Sequence, residues 1–382
     1  MIRILTIIGA RPQIIKASAL SRAIRKHFSD QVEEIIVHTG QHYDDNMSEV
    51  FFRQLEVPPA KHNLNVGSAT HGVQTARMIE GIEALCHSEK PDFVVVYGDT
   101  NSTLAGAIAA AKLHIPIAHI EAGLRSYNKT MPEEINRIVC DHLSTLLFSP
   151  TATGLQNLIK EGMHPDNNPP FTSDNPRIYH CGDVMLDNSL YFAEAAEQQS
   201  DILQQLQLDA GEFILATIHR DNNTDDPERL GAIFSALNSI SLNTGKDVII
   251  PLHPRTAKLL KANLGDSLFE KISLNPHIRL LPPASFFDML VLEKNCSLVM
   301  TDSGGVQKEA YFFNKACIIF RPETEWVEII EQGAGRICDA DPQRILDAFA
   351  HYASAGNLHF PPIFGDGEAA RFICREILKA SE

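Results

Sequence analysis

Cysteine is scarce and scattered in this chain of 382 residues. Its seven cysteines (Cys86, Cys140, Cys181, Cys296, Cys317, Cys338 and Cys374) are odd in number, and no two are spaced as CxxC. Disulfide frameworks and zinc sites are therefore not expected, and the pattern suits a reducing cytoplasm. No apolar run approaches the ~20 residues that a membrane span needs. The opening MIRILTIIGA is too short in its apolar part for a signal peptide, has no cleavage signature and runs into Gly-Ala-Arg-Pro, so it reads as a first buried strand. Positive charge is in deficit: 33 Lys and Arg against 48 Asp and Glu leave a net charge of −15. That argues against general nucleic-acid binding, which depends on neutralising phosphates. A small anionic ligand remains compatible, because it needs only a local cluster of Arg and Lys. None of the 16 histidines falls in an HExxH or zinc-finger spacing, so no metal is expected.

What is present is a soluble composition, 44% hydrophobic and 21% charged, long enough for two ordinary domains. The most informative stretch runs from Phe93 to Arg137. Phe93–Tyr97 is a short β-branched run that reads as a buried strand, stopping at Gly98-Asp99-Thr100. An alanine-rich helix follows over Ser102–Leu113, Pro116 marks its end, and Ile117–Ile120 forms a second strand stopping at Glu121-Ala122-Gly123. A strand-helix-strand unit makes the two strands parallel neighbours. Ligands in such sheets bind outside the carboxyl ends of the strands, where Asp99 and Glu121 stand, with Glu133 and Glu134 on the next loop.

The same rhythm runs along the whole chain. Strand Ile2–Ile8 ends in the turn Gly9–Pro12, followed by a helix from Gln13. Arg11 and Lys16 lie where cations oppose a helix macrodipole, so an anion there would relieve a local conflict. Strand Glu34–His38 ends in the polar loop Thr39–Asp44, and Met47–Leu55 is a short helix. After the Pro- and Asn-rich segment His164–Pro176, Ile178–Cys181 starts a second series. Phe213–Ile218 ends at His219-Arg220, Val248–Pro251 at His253, and Ser297–Met300 at Asp302-Ser303-Gly304-Gly305. Arg321–Trp326 leads into a last full helix before a closing one over Gly367–Lys379. The expectation is an α/β chain of two Rossmann-like domains facing a central cleft. Residues 1–177 form the domain with the carboxylates, 178–366 the second domain, and 367–382 pack back on the first.

Asp302-Ser303-Gly304-Gly305 is the best phosphate candidate on physical grounds, because two glycines bare the backbone N–H groups of a helix N-terminus. Ser303 would serve equally as an N-cap, and both roles can coexist. Glu309 can reach a ribose hydroxyl or simply face solvent. Glu133 fits a capping box with Thr130 and Pro132. Glu121 has no such excuse, since it breaks an apolar strand just before a glycine. Several carboxylates facing Arg125, Arg11 and Lys16 drive their pKa values apart, as acid/base chemistry at neutral pH requires. His219 and His253 are plausible partners at strand ends.

These residues fall in motifs that resemble the UDP-N-acetylglucosamine 2-epimerases: GARPQIIK (Gly9–Lys16), TGQHYD (Thr39–Asp44), GDTNST (Gly98–Thr103), IEAGLRS (Ile120–Ser126), PEEINR (Pro132–Arg137), HR (His219-Arg220), TDSGGVQKEA (Thr301–Ala310) and GDGEAA (Gly365–Ala370). The resemblance covers nearly the whole chain. It implies the glycosyltransferase-B type of fold, a UDP-sugar in the cleft, and no metal or nicotinamide cofactor. It also implies that UDP leaves C1 by anti elimination as the C2 proton is removed. UDP then adds back to a 2-acetamidoglucal, with the proton delivered to the opposite face. Asp99, Glu121 and Glu133 match the catalytic carboxylates, with Lys16 and His219 assisting. Arg11, His219, Ser303, Gly304 and Glu309 match positions that hold UDP. Lys16, Arg220, Gly305, Arg125 and Arg137, each inside one of these motifs, complete the substrate-binding set.

The chain departs from many members at Gln13, where they carry Glu, at Thr324–Glu328, and in the loop Gln41–Asp45, which differs from that of members activated by a second UDP-sugar. GARPQ, QHYD, GDVM (Gly182–Met185) and TEWVE look closer to relatives acting on UDP-2,3-diacetamido-2,3-dideoxyglucuronic acid. The sequence reading places UDP-N-acetylglucosamine ahead as substrate, in a cytoplasmic homodimer serving cell-surface polysaccharide. The rivals are the diacetamido-uronate, a hydrolysing epimerase releasing ManNAc and UDP, a retaining glycosyltransferase and a silent UDP-sugar sensor.

Overall fold

The computed structural model describes residues 1–41, 54–252 and 254–381. The expected helix over Met47–Leu55, the loop beyond Gln41 and His253 thus lie wholly or largely outside the described residues. The chain divides into two compact units, Met1–Asn188 with Pro362–Glu382, and Ser189–Pro361.

In the first unit, seven parallel strands pair in the order β3 (His62–Asn63), β2 (Val32–His38), β1 (Ile2–Ile8), β4 (Phe93–Tyr97), β5 (Ile117–Ile120), β6 (Leu146–Ser149), β7 (Arg177–His180). The central strands are continuous apolar runs because helices cover both faces of a parallel sheet. All five residues of β4 and all four of β5 are buried. Helices Arg11–His27 and Asn101–Lys112 stand where the sequence places them, within two residues at each end, and helix His71–Glu89 precedes β4. Chain order reverses between β1 and β4, which makes the gap between their carboxyl ends the switch point of this sheet.

In the second unit, six parallel strands pair as β10 (Ile278–Leu281), β9 (Asp247–Pro251), β8 (Phe213–Thr217), β11 (Leu298–Thr301), β12 (Cys317–Ile319), β13 (Gly335–Ile337). Its switch point lies between β8 and β11. A separate apolar core centred on Phe234, Leu237, Ile250 and Phe320 packs one face of this sheet.

Three expectations are corrected. Residues 178–180 do not open the second series: β7 hydrogen-bonds β6 from Arg177 to His180, and the unit boundary falls later, inside helix Val184–Gln199. The segment after Trp326 is not a full helix. It stops after Val327–Glu331, where Gly333 at φ 72° lets Gly333 and Ala334 donate back to Ile330 and Ile329. The chain then adds β13 and helix Pro342–Ser354, which the sequence reading did not separate. The capping box at Thr130 does not form either, since Met131 is the N-cap of helix Pro132–Leu143 and makes no side-chain cap.

The closing helix, Ala369–Ala380, belongs to the first unit. Asp187 accepts the N–H groups of Ala369 and Ala370 at 3.2 and 2.8 Å, and the Phe372 ring meets Tyr179 edge-on at 5.5 Å. Burial pushes the Asp187 carboxyl up to about 6, against the pull of those two N–H groups.

Candidate functional site

The turns at both switch points carry the residues singled out in the sequence. After β4 the chain turns through Gly98, at φ 64°, into Asp99. After β5, Glu121 itself takes a left-handed conformation at φ 73°, followed by Gly123 at φ 81°. A non-glycine residue held there costs about 1–3 kcal/mol and persists only where its surroundings impose it. Glu121 pairs with Lys16, from the second turn of helix Arg11–His27, and both side chains are largely buried. A methyl group added to Gly98 would lie 3.1 Å from both Glu121 Oε2 and Lys16 Nζ, so this pair sits directly against the Asp99 turn.

Asp99 pairs with Arg137 at 2.5 Å, and its backbone carbonyl accepts from Asn136 Nδ2 at 2.8 Å. Burial raises the Asp99 carboxyl above its ordinary value. Arg137 and Lys16 pull it down, while the charges of Glu121 and Glu133 push it further up. One cluster therefore gathers Lys16, Asp99, Glu121, Glu133 and Arg137.

Two arginines are placed otherwise than expected. The Arg125 guanidinium is buried against Asp141 and Glu161, at 2.7 Å from each, and does not join the cluster as a substrate-facing cation. Arg137 is buried as well, shared between Asp99 and Glu134. It acts on the cluster by holding a carboxylate. Glu134 is the buried acid of the PEE motif. It accepts from Ser126 N and Tyr127 N, both at 2.9 Å, and its carboxyl is held below its ordinary value by these N–H groups and Arg137 against the cost of burial. Glu133, its half-exposed neighbour, keeps the side chain that reaches Asp99 electrostatically.

The turn after β1 differs from the expected anion site. The N–H groups of Gly9 and Ala10 are taken by Gln13 Oε1 at 2.9 and 3.2 Å, while Gln13 Nε2 donates to Tyr97 O and Thr103 Oγ1, each at 3.0 Å. The position needs an acceptor and a donor at once, which an amide provides and a carboxylate does not. Arg11 begins the helix at this turn and is exposed.

In the second unit, Asp302 ties the two strand ends across the switch point. Its carboxylate accepts from His219 N, Arg220 N and Asn223 Nδ2 at 2.9–3.1 Å. His219 and Arg220 are thereby held at the end of β8 with their side chains outward. Ser303 caps helix Gly304–Phe312 through Val306 N. The space beside Gly304 is open: a methyl group there would meet nothing closer than 3.6 Å, the nearest atoms belonging to Glu325, Trp326 and Arg321. Arg321 and Glu325 form a two-pronged pair at 3.0 and 2.9 Å, and Lys308 Nζ lies 4.3 Å from the centre of the Trp326 ring. Glu309 is half-buried and hydrogen-bonds Glu293, whose carboxyl is pushed well up by burial and by Glu309. A helix N-terminus opening on two glycines, on a helix that carries a half-buried carboxylate, suits a diphosphate and a hydroxylated sugar. Among the described residues, no three His, Cys, Asp or Glu side chains converge as metal ligands, and no helix is long and apolar enough to cross a membrane.

The profile of the UDP-N-acetylglucosamine 2-epimerase family matches residues 23–378. The chain belongs to that family. It is 45% identical over 99% of both chains to the UDP-2,3-diacetamido-2,3-dideoxy-D-glucuronate 2-epimerase of Pseudomonas aeruginosa. The crystal structure of Methanocaldococcus jannaschii UDP-GlcNAc 2-epimerase in complex with UDP-GlcNAc and UDP matches it with a TM-score of 0.84, at 38% identity over 99% of each chain. A glycosyltransferase-type protein, Phytolacca americana UGT2 complexed with UDP-2-fluoroglucose and pterostilbene, shares the fold alone (TM-score 0.58, 12% identity, 99% and 94% of the two chains). Two Rossmann-like units of the glycosyltransferase-B type and membership among the UDP-sugar 2-epimerases, which are isomerases, are thus established.

Sequence reasoning did not single out His119 or Asp141, and it gave Glu134 and Asp302 no separate roles of their own. Glu134 stood next to Glu133 without a signal to choose between them. Asp302 was read as part of a phosphate turn, and His119 looked like one polar residue inside a buried strand.

Proposed function

We propose that this epimerase interconverts UDP-N-acetylglucosamine and UDP-N-acetylmannosamine without hydrolysis. The observation that carries the reading is the cluster at the first switch point: Asp99, Glu121 and Glu133 with Lys16, built on a left-handed Glu121. The C2 proton of the sugar is not acidic, so cleavage of the C1–O bond has to lead. The carboxylates stabilise the positive charge that develops at C1, and one of them takes the C2 proton. UDP departs with the bonding pair of the C1–O bond, leaving the 2-acetamidoglucal. Re-addition of UDP to C1, with a proton given to the other face of C2, completes the exchange.

In the same reading, the Ser303-Gly304-Gly305 turn, with His219 and Arg220, receives the diphosphate, and Glu309 receives the ribose. Arg125 and Arg137 hold protein carboxylates in place. The enzyme is proposed to work in the cytoplasm as a homodimer, supplying cell-surface polysaccharide. That location rests on the scattered free cysteines.

The 45% identity to the Pseudomonas aeruginosa enzyme favours a second reading, in which the substrate is UDP-2,3-diacetamido-2,3-dideoxyglucuronate. Supplying each UDP-sugar to the purified protein and following products by NMR separates them. The first reading predicts UDP-ManNAc from UDP-GlcNAc. Turnover of the uronate alone would establish the second, and free ManNAc with UDP would mean hydrolysis.

A further inference from the structure

Behind the catalytic turns lies a pair of side chains with no assigned part in the reaction. His119, in β5, and Asp141, in helix Pro132–Leu143, are fully buried and hydrogen-bond each other at 2.8 Å through Nδ1 and Oδ1. His119 Nε2 lies 2.8 Å from the carbonyl oxygen of Gly98. That oxygen can only accept, so Nε2 donates. The other Asp141 oxygen accepts from Gly123 N at 3.1 Å and from Arg125 Nη1 at 2.7 Å.

One hydrogen-bonded unit therefore reaches both turns. It takes the peptide before Asp99 at one end and the peptide two residues after Glu121 at the other. Gly98, Glu121 and Gly123 all have positive φ, and Gly123 has no room for a side chain, since a methyl group would run into the Gly154 backbone. The ladder bonds of β4 and β5 end at these turns, with Gly98 N donating to Ile120 O as the last of them. Beyond that point, the His119–Asp141 pair spans the two turns from the core side.

We propose that His119 and Asp141 are positioning residues that set the placement of Asp99 relative to Glu121, and through it the rate of the proton step at sugar C2. This rests on the carboxylate roles proposed above. A buried histidine that only satisfies its own nitrogens would affect folding alone.

Asparagine and glutamine replacements separate the two functions of the ring. The amide of asparagine reaches as far as Nδ1, and that of glutamine as far as Nε2. His119→Asn keeps the bond to Asp141 and releases the Gly98 carbonyl, while His119→Gln keeps the Gly98 bond. The proposal predicts that His119→Asn and His119→Ala lower kcat by about 10²-fold, the cost of a displacement on the ångström scale. KM and UDP affinity should stay within about two-fold, because uniform binding is untouched. His119→Gln should recover most of kcat. Equal kcat in all three variants, or losses that follow only their melting temperatures, would overturn it.

A crystal structure of His119→Asn gives a readout independent of turnover. The proposal predicts that the Gly98-Asp99 turn moves relative to Glu121, and an unmoved turn would refute it. Should the wild-type protein turn over no UDP-sugar, the reaction assigned above fails, while this structural comparison still decides the role of the pair.

Discussion

Asp99 meets opposed demands. Burial and the neighbouring Glu121 and Glu133 raise its carboxyl, whereas Arg137 and Lys16 lower it. Because the folded value lies above the ordinary one, the stability linked to this group is complete below the unfolded carboxylate range and is lost as pH rises through the raised value. Asp99→Asn should therefore melt no lower than the wild type at neutral pH. Turnover should fall by about 10²–10⁴-fold if Asp99 takes or gives the proton. Thermal melting and steady-state kinetics on the same sample check both halves. Removing the Arg137 cation should shift the acid limb of kcat/KM to higher pH, since the largest influence that lowers Asp99 is gone. A pH–rate profile of Arg137→Met tests the sign, and a limb that moved down would contradict the geometry at 2.5 Å.

The elements show why part of this was legible and part was not. Strands β4 and β5 are unbroken apolar runs ended by glycine and carboxylate. Burial on both faces writes their position and their functional ends into the sequence. Strand β13 spans three residues, Gly335–Ile337, and helix Val327–Glu331 five. Neither is long enough for a periodic signal. The Gln13 network and the His119–Asp141 pair join residues 84–90 and 22 positions apart, a relation that no local pattern encodes.

At helix Gly304–Phe312, Gly304→Ala should fold normally, because the added methyl meets nothing closer than 3.6 Å. It should also weaken UDP binding by at least about ten-fold if backbone approach of the diphosphate is what the glycine provides. Isothermal calorimetry with UDP measures this. At the closing helix, Asp187→Ala removes the acceptor for Ala369 and Ala370 and should cost about 1 kcal/mol in denaturant unfolding. Asp187→Asn should flatten the loss of stability that the wild type shows as pH rises toward about 6.

For the molecule as a whole, the two units present parallel designs. Each sheet reverses its strand order once, and in each a buried carboxylate accepts backbone N–H groups from the turn after a strand: Asp141 from Gly123 after β5, and Asp302 from His219 and Arg220 after β8. In the proposed reaction, the carboxylates of the first unit act on the sugar. Incubating the enzyme with UDP-GlcNAc in D2O and following the C2 proton by NMR tests this most directly. The account predicts loss of the C2 proton signal as UDP-ManNAc forms, with Asp99→Asn binding UDP as tightly as the wild type but exchanging at least about 10²-fold more slowly. UDP-ManNAc that retains the original C2 proton, or an Asp99→Asn variant exchanging at the wild-type rate, would contradict it.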